Sequence, residues 1–298
     1  GIKVSPVKDH VVLSNHKNEL LLVNLRLNKV DKIDQSKYGV IQGFNWSPDG
    51  KYIAYSCSFN SRLIGIKIYD IKNKKSHKVS SPILNDFNPV FDPTGKYLAF
   101  LGTRIFNPVY DNMHFDLGFP RGEKPYIITL DKDTPSPLYK SSPKPIKIEK
   151  KKDEKKKDEK LKVNIDFDGI ENRIMAIPTQ EGLFRNIGFI NNKLFYSVHP
   201  DEGSFGDIPW YDFSSSDSST ILFYDFDLNE EKVFMSNISS FSIYPKLERI
   251  LIKSKDGMRL LDANTIPTKD VISKSEYNLL SGKIDFNRAR VSIDPISE

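Results

Sequence analysis

The side chains able to do chemistry are few and scattered. Five histidines (His10, His16, His77, His114 and His199) and one cysteine, Cys57, make up the nucleophile and base repertoire beyond hydroxyls and carboxylates. A Ser-His-Asp relay needs a histidine within hydrogen-bond reach of a serine, and its members can come from anywhere in a chain. His10, His16 and His77 fall in polar strand or turn contexts, His114 lies in an aromatic insertion, and His199 precedes a proline. Each reads as a structural or surface residue rather than a catalytic base. Gly-x-Ser-x-Gly, Gly-x-Gly-x-x-Gly, Walker and His-Glu-x-x-His motifs do not occur. Cys57 follows a run of hydrophobic residues and reads as a packed, inert thiol. The expectation is no catalytic, no cofactor-binding and no metal residue in this chain, and no cofactor.

Two charged stretches invite a binding reading. His199, Asp201, Glu202, Asp207, Asp212 and Asp217 are ligand types set among Gly and Ser, but their spacing matches neither an EF-hand loop nor a zinc motif, so they read as a polar loop. Residues 149–162 carry eight Lys and five acids, a local charge of +3. Arginine and interleaved aromatic residues, the usual means of gripping phosphates and stacking bases, are missing there. A solvated loop is expected, and no nucleic-acid partner.

The elements that would hold any site are announced by a repeat. Asn45-Trp46-Ser47-Pro48-Asp49-Gly50-Lys51-Tyr52-Ile53-Ala54-Tyr55 aligns with Val90-Phe91-Asp92-Pro93-Thr94-Gly95-Lys96-Tyr97-Leu98-Ala99-Phe100 at an offset of 45 residues. That period suits one propeller blade. Each copy reads as strand, tight turn, strand, with Pro presetting φ early in the turn and Gly50 or Gly95 accepting positive φ. The strand after the turn is apolar on both faces, as in a sheet packed between two neighbours. A second recurring element closes strands with Asp and a turn-forming Asn: Asp70-Ile71-Lys72-Asn73, Asp227-Leu228-Asn229 and Asp262-Ala263-Asn264, with Val23-Asn24-Leu25 as a weaker copy.

These signals predict an all-β β-propeller of four-stranded antiparallel blades, about five of them, spanning 1–273 with insertions at 102–125, 141–165 and 199–220. An incomplete blade is expected at 1–37, then blades at 40–81, 85–178, 183–237 and 238–273. Helix is expected only as a turn or two at 275–280, within a linker, 274–298, leading towards further domains. Composition agrees with a folded chain: 298 residues, 28% charged, 38% hydrophobic, with a net charge of +5. No apolar run approaches the roughly 20 residues of a spanning helix, so no membrane partner is expected. The lone cysteine fits a reducing compartment, hence a cytoplasmic location. The chain begins at Gly1 without a methionine and is read as a piece of a longer polypeptide.

The insertion from Arg104 to Pro125 spaces Phe106, Tyr110, Phe115 and Phe119 through polar residues, and is expected to pack on the propeller face or against another domain. With Phe44-Asn45-Trp46-Ser47-Pro48-Asp49-Gly50, Phe91-Asp92-Pro93-Thr94-Gly95-Lys96-Tyr97-Leu98, Phe106-Asn107-Pro108-Val109-Tyr110-Asp111, Phe115-Asp116-Leu117-Gly118-Phe119-Pro120 and Ser281-Gly282-Lys283-Ile284-Asp285 in collinear order, the chain resembles the second, seven-bladed propeller of tricorn-type proteases. The resemblance implies a non-catalytic part of a large, cytosolic, homo-oligomeric serine peptidase that degrades peptides. It would act as a substrate-access channel and docking scaffold, with peptide substrates and the remaining domains of the parent protease as partners. The alternative is a stand-alone TolB-like propeller mediating protein–protein interaction.

Overall fold

The computed structural model describes residues 1–111, 116–119, 121–138, 161–200, 218–286 and 290. The first sheet joins β1 (Ile2–Val4), β2 (His10–Ser14), β3 (Glu19–Asn24) and β4 (Lys29–Gln35) in sequence order. The second joins β5 (Gln42–Trp46), β6 (Tyr52–Ser58), β7 (Ile64–Asp70) and β8 (Lys75–Lys78). The third is built from β9 (Asp86–Phe91), β10 (Tyr97–Thr103), β13 (Glu123–Thr129) and β14 (Ile174–Ala176), interrupted by a separate hairpin of β11 (Val109–Asp111) and β12 (Asp116–Gly118). The fourth contains β15 (Leu183–Ile190), β16 (Lys193–His199), β17 (Ser219–Asp225) and β18 (Glu230–Ile238). The fifth has β19 (Ser240–Tyr244), β20 (Arg249–Ser254) and β21 (Gly257–Asp262). Pairing within each sheet is antiparallel, so five blades are present, the fifth with three strands where four were expected, and among the described residues the sheets do not close into a ring.

Two further expectations need correcting. The first blade is not incomplete: His10 opens a second strand and Ile2–Val4 a first, giving four. The helix lies earlier than expected, at α1 (Lys269–Ser273), because Thr268 caps it by accepting a hydrogen bond from the Val271 N–H at 3.4 Å. Residues 275–280 form bends and a turn instead. Beyond them the backbone returns to the fifth blade, where Leu260 N–H donates to Gly282 O and Ile284 N–H to Met258 O.

The apolar-on-both-faces pattern has its reason in four core clusters, one per seam between successive blades. On β10, Leu98 and Phe100 face the second blade while Ala99 and Leu101 face the fourth. On β6, Ile53, Tyr55 and Cys57 face the first blade and Ala54 the third. On β16, Leu194 and Tyr196 face the third blade and Phe195 the fifth. Burying each such Leu, Ile or Phe stabilises by about 1.5–3 kcal/mol, so every blade depends on its neighbours. The first blade has one face without such a partner: Ile2, Val4 and Val30, 70%, 67% and 57% exposed, share a face by register with Val11, Leu13, Leu21 and Val23.

The turns follow the sequence. Gly50 and Gly95 have φ of 65° and 72°, and their N–H groups donate to Ser47 O and Asp92 O. Asp70 accepts from the Asn73 N–H and Nδ2, Asp262 from the Asn264 N–H, and Asn24 from the Arg26 and Leu27 N–H groups. In the fourth blade the acceptor is Asp225, bonded to the Asp227 and Leu228 N–H groups, two residues earlier than the expected Asp227.

Candidate functional site

The described histidines do not assemble a site. His16 is exposed, His10 opens β2, and His77 stacks on Phe167 with centroids 3.8 Å apart. His199 does meet a serine: Ser219 Oγ lies 2.9 Å from Nδ1 and 3.0 Å from Nε2. That contact resembles the first half of a nucleophilic relay, but Ser219 is 0% exposed, so its hydroxyl is closed to a substrate. Cys57 is buried, and burial pushes its thiol up, leaving a poor nucleophile. His114, Phe115, Asp201, Glu202, Asp207, Asp212, Asp217 and residues 149–160 lie outside the described residues. Among the described residues, no group of three His, Cys, Asp or Glu is placed to hold a metal ion.

What the fold does converge is its first strands. β1 contacts β5, β5 contacts β9, β9 contacts β15 and β15 contacts β19, so the leading strand of each blade lies beside the next in one arc. Three of these strands carry the same bulge. Between Gln42 and Asn45, between Phe87 and Val90, and between Phe184 and Ile187, three steps on the leading strand oppose two on its partner. The bulge turns the strand and frees its asparagines to reach sideways. Gly43 sits in the first bulge with φ of 56°, and a Cβ there would come within 2.6 Å of Asn88 Oδ1 and 3.0 Å of its backbone.

Every seam is then tied at this arc by a polar side chain bonded to the neighbouring backbone. Trp46 Nε1 donates to Lys3 O at 3.1 Å, and Asn45 Oδ1 accepts from the Phe91 N–H at 3.2 Å. Asn88 Nδ2 donates to Arg185 O at 2.9 Å, and Asn186 Nδ2 to Phe241 O at 3.4 Å. Bulged backbone N–H groups find serine hydroxyls: Asn88 N–H donates to Ser56 Oγ and Asn186 N–H to Ser197 Oγ, both at 3.2 Å. These ties escaped the sequence reading because an Asn in a strand has no distinctive spacing; the Gly43/Asn88 match at the 45-residue offset was the available signal.

The second built feature is the stem of the β11–β12 hairpin. Arg104 grips Asp86 through two bonds, Nε to Oδ1 at 2.8 Å and Nη2 to Oδ2 at 2.7 Å, and its guanidinium lies 5.5 Å and 5.3 Å from the ring centroids of Phe100 and Tyr126. Asp86 is the first residue of β9, so the stem is fastened to the arc. Arg104 and Ile105 N–H groups both donate to Gly122 O, and Asn107 Nδ2 donates to Glu181 Oε1 at 2.6 Å. Glu123 closes the stem onto the fourth blade by accepting the Phe184 N–H at 2.8 Å. Burial holds its carboxyl above the usual range, with that bond and Arg185 opposing. The described aromatics of this insertion do not pack into this chain's face: Phe106, Tyr110 and Phe119 are 42%, 51% and 52% exposed, Phe106 and Phe119 meeting edge to face at 6.1 Å.

Comparison with known proteins places this geometry. The family model described as the tricorn protease second beta propeller domain matches residues 1–264. A Sulfurisphaera tokodaii protein named as a tricorn-like protease C-terminal subunit is 32% identical over 100% of this chain and 32% of its own length. A tricorn protease homolog of Saccharolobus solfataricus is 31% identical over 100% of this chain and 26% of its length. The chain therefore spans about a quarter to a third of these relatives. Among solved structures, a crystal structure of the tricorn protease superposes with a TM-score of 0.72 at 20% identity, over 88% of this chain and 25% of that one. A TolB structure from Agrobacterium tumefaciens gives 0.50 at 11% identity, over 89% of this chain and 70% of that one.

Proposed function

The chain belongs to the tricorn protease second-propeller family, and from that premise we propose that it is a non-catalytic part of a tricorn-like serine peptidase. In this reading it forms part of a substrate-access passage and a docking scaffold. The parent protein acts on peptides in the cytoplasm as a homo-oligomer, and its catalytic groups lie in other regions. The observation that carries the reading is the arc of leading strands. Their polar side chains are bound into the seams, and Gln42, Arg185 and Ser242 are left exposed on them. A wall so built can guide an unfolded peptide without reacting with it. The half-exposed aromatic hairpin, rigid at its stem, supplies the docking surface.

The test uses the parent protease. Ser242→Cys is labelled with a bulky maleimide, the native Cys57 being buried, and hydrolysis of peptides of increasing length is timed. Slower turnover of long peptides with short ones unaffected supports the passage; equal effects at all lengths sink it. Hydrolysis by the 298-residue chain alone, abolished by a serine-directed reagent, sinks the non-catalytic reading.

A further inference from the structure

We infer that residues 161–173 form a latch across the seam of the second and third blades, closed by the stack of Phe167 on His77 and loosened when that imidazole takes up a proton. The segment is pinned at both ends. At its start, Val163 is 2% exposed, its N–H donates to Asp49 Oδ2 at 3.0 Å, and a Cβ on Gly95 would come within 2.5 Å of its side chain. At its finish, Arg173 donates to the carbonyls of Thr129 at 3.0 Å, Leu130 at 3.2 Å, Asp168 at 3.0 Å, and Asp166. Ile170 is 0% exposed.

Between these pins the segment rests on a titratable ring. Phe167 lies parallel to His77, 3.8 Å between centroids and 8° between planes, with Tyr52 edge-on to Phe167 at 6.5 Å. The latch thus joins a residue that follows the third blade's β13 to the outermost strand of the second, β8.

The surrounding charges decide the direction. Lys75 lies on the same strand as His77, and Asp70 ends β7 beside it. Asp166 and Asp168 flank Phe167, Asp166 at 4.0 Å from Lys132. Burial beneath Phe167 and the Lys75 charge both disfavour the imidazolium, Asp70 opposing them, and the imidazole sits below its ordinary range. A stacked imidazolium recovers some cation–π attraction from the Phe167 ring, but loses water from its covered face. A group whose pKa is lowered in the closed form stabilises that form fully above its free value of about 6.5 and less as pH falls from there. Each pH unit below about 6.5 multiplies the open population by up to tenfold until the closed-form value is passed.

The experiment is hydrogen exchange of the intact chain at pH 7.5, 6.5 and 5.5, corrected for the intrinsic pH dependence of exchange. Peptides from 161–173 are compared with peptides from β20 and β21. The expected result is protection of 161–173 that falls with acid while the β20–β21 peptides hold, and no such fall in His77→Phe, which keeps an aromatic stack without the proton. Equal pH profiles in the two proteins, or a flat profile in the native chain, overturn the latch. Should His77→Phe not fold, the ring of His77 is titrated by NMR in the native chain and in Phe167→Ala. Uncovering the ring moves its midpoint up towards about 6.5, and an unmoved midpoint overturns the proposal.

Discussion

Separating Arg104 from Asp86 should be the most damaging single change at the hairpin stem. The side chain of Asp86 is 0% exposed and that of Arg104 14%, and two bonds of 2.8 Å and 2.7 Å join them. Arg104→Met removes the guanidinium and leaves a carboxylate without water or cation. Breaking a buried pair in this way costs about 3–5 kcal/mol, most of it the uncompensated charge. Asp86→Asn leaves the opposite charge stranded and turns an amide N–H towards a guanidinium, so its cost falls in the same range. The double variant, uncharged and with Met resting on Phe100 and Tyr126, should recover much of the loss, because replacing both partners is often close to neutral. In domains of 150–250 residues 1 kcal/mol moves Tm by about 2–4 °C, so each single variant should melt roughly 6–20 °C lower. Calorimetry gives the cycle, and hydrogen exchange across 104–122 localises the damage. Single variants within about 2 °C of the native chain, or a double variant as unstable as the summed singles, would refute the claim that the pair is a coupled buried clamp.

Two further outcomes follow from the arc and the stem. Gly43→Ala places a methyl at φ of 56° and within 3.0 Å of the Asn88 backbone, so it should cost at least the roughly 1–2 kcal/mol of a left-handed non-glycine residue. Chemical denaturation reads this, and an unchanged midpoint would show that the bulge tolerates a side chain. Glu123→Gln keeps an acceptor for the Phe184 N–H while removing a carboxylate that burial disfavours. A carboxyl held above its free value contributes most below that value and loses this contribution as pH rises through the folded one. The variant should therefore be more stable than the native chain at pH 7, the gap closing towards pH 4; a gap that widens in acid contradicts the assignment.

How far the sequence reached can be traced residue by residue. Pro48, Gly50, Pro93 and Gly95 disclosed the turns because a tight turn restricts φ whatever surrounds it. The doubly apolar strands disclosed blades packed on both sides because burial on each face forbids the usual alternation. Ile2–Val4 was missed as a strand because three residues flanked by a lysine-bearing loop give no period to read. Asp225 was missed as a cap because Asp227 offers the same residue type two places on, and only the end of β17 decides between them. The latch could not be foreseen: His77 and Phe167 are far apart in sequence, and Phe167 lies in no recurring pattern.

The arc commits its own polar side chains to the fold. Asparagines and serines are the polar residues gathered at the leading strands, and in an enzyme such side chains would orient a substrate. Here Asn45, Asn88 and Asn186 are committed to the backbone of the next blade, and Ser56 and Ser197 to bulged N–H groups. Each of these bonds contributes about 0.5–1.5 kcal/mol to the seam it ties, so a side chain that turned to a passing peptide would give that up. If the arc lines a passage, discrimination falls to its width and to the exposed Gln42, Arg185 and Ser242. Asn186→Ala, which loosens the seam between the fourth and fifth blades without adding bulk, should then relax the length limit in the assay on the parent protease, where labelled Ser242→Cys tightens it.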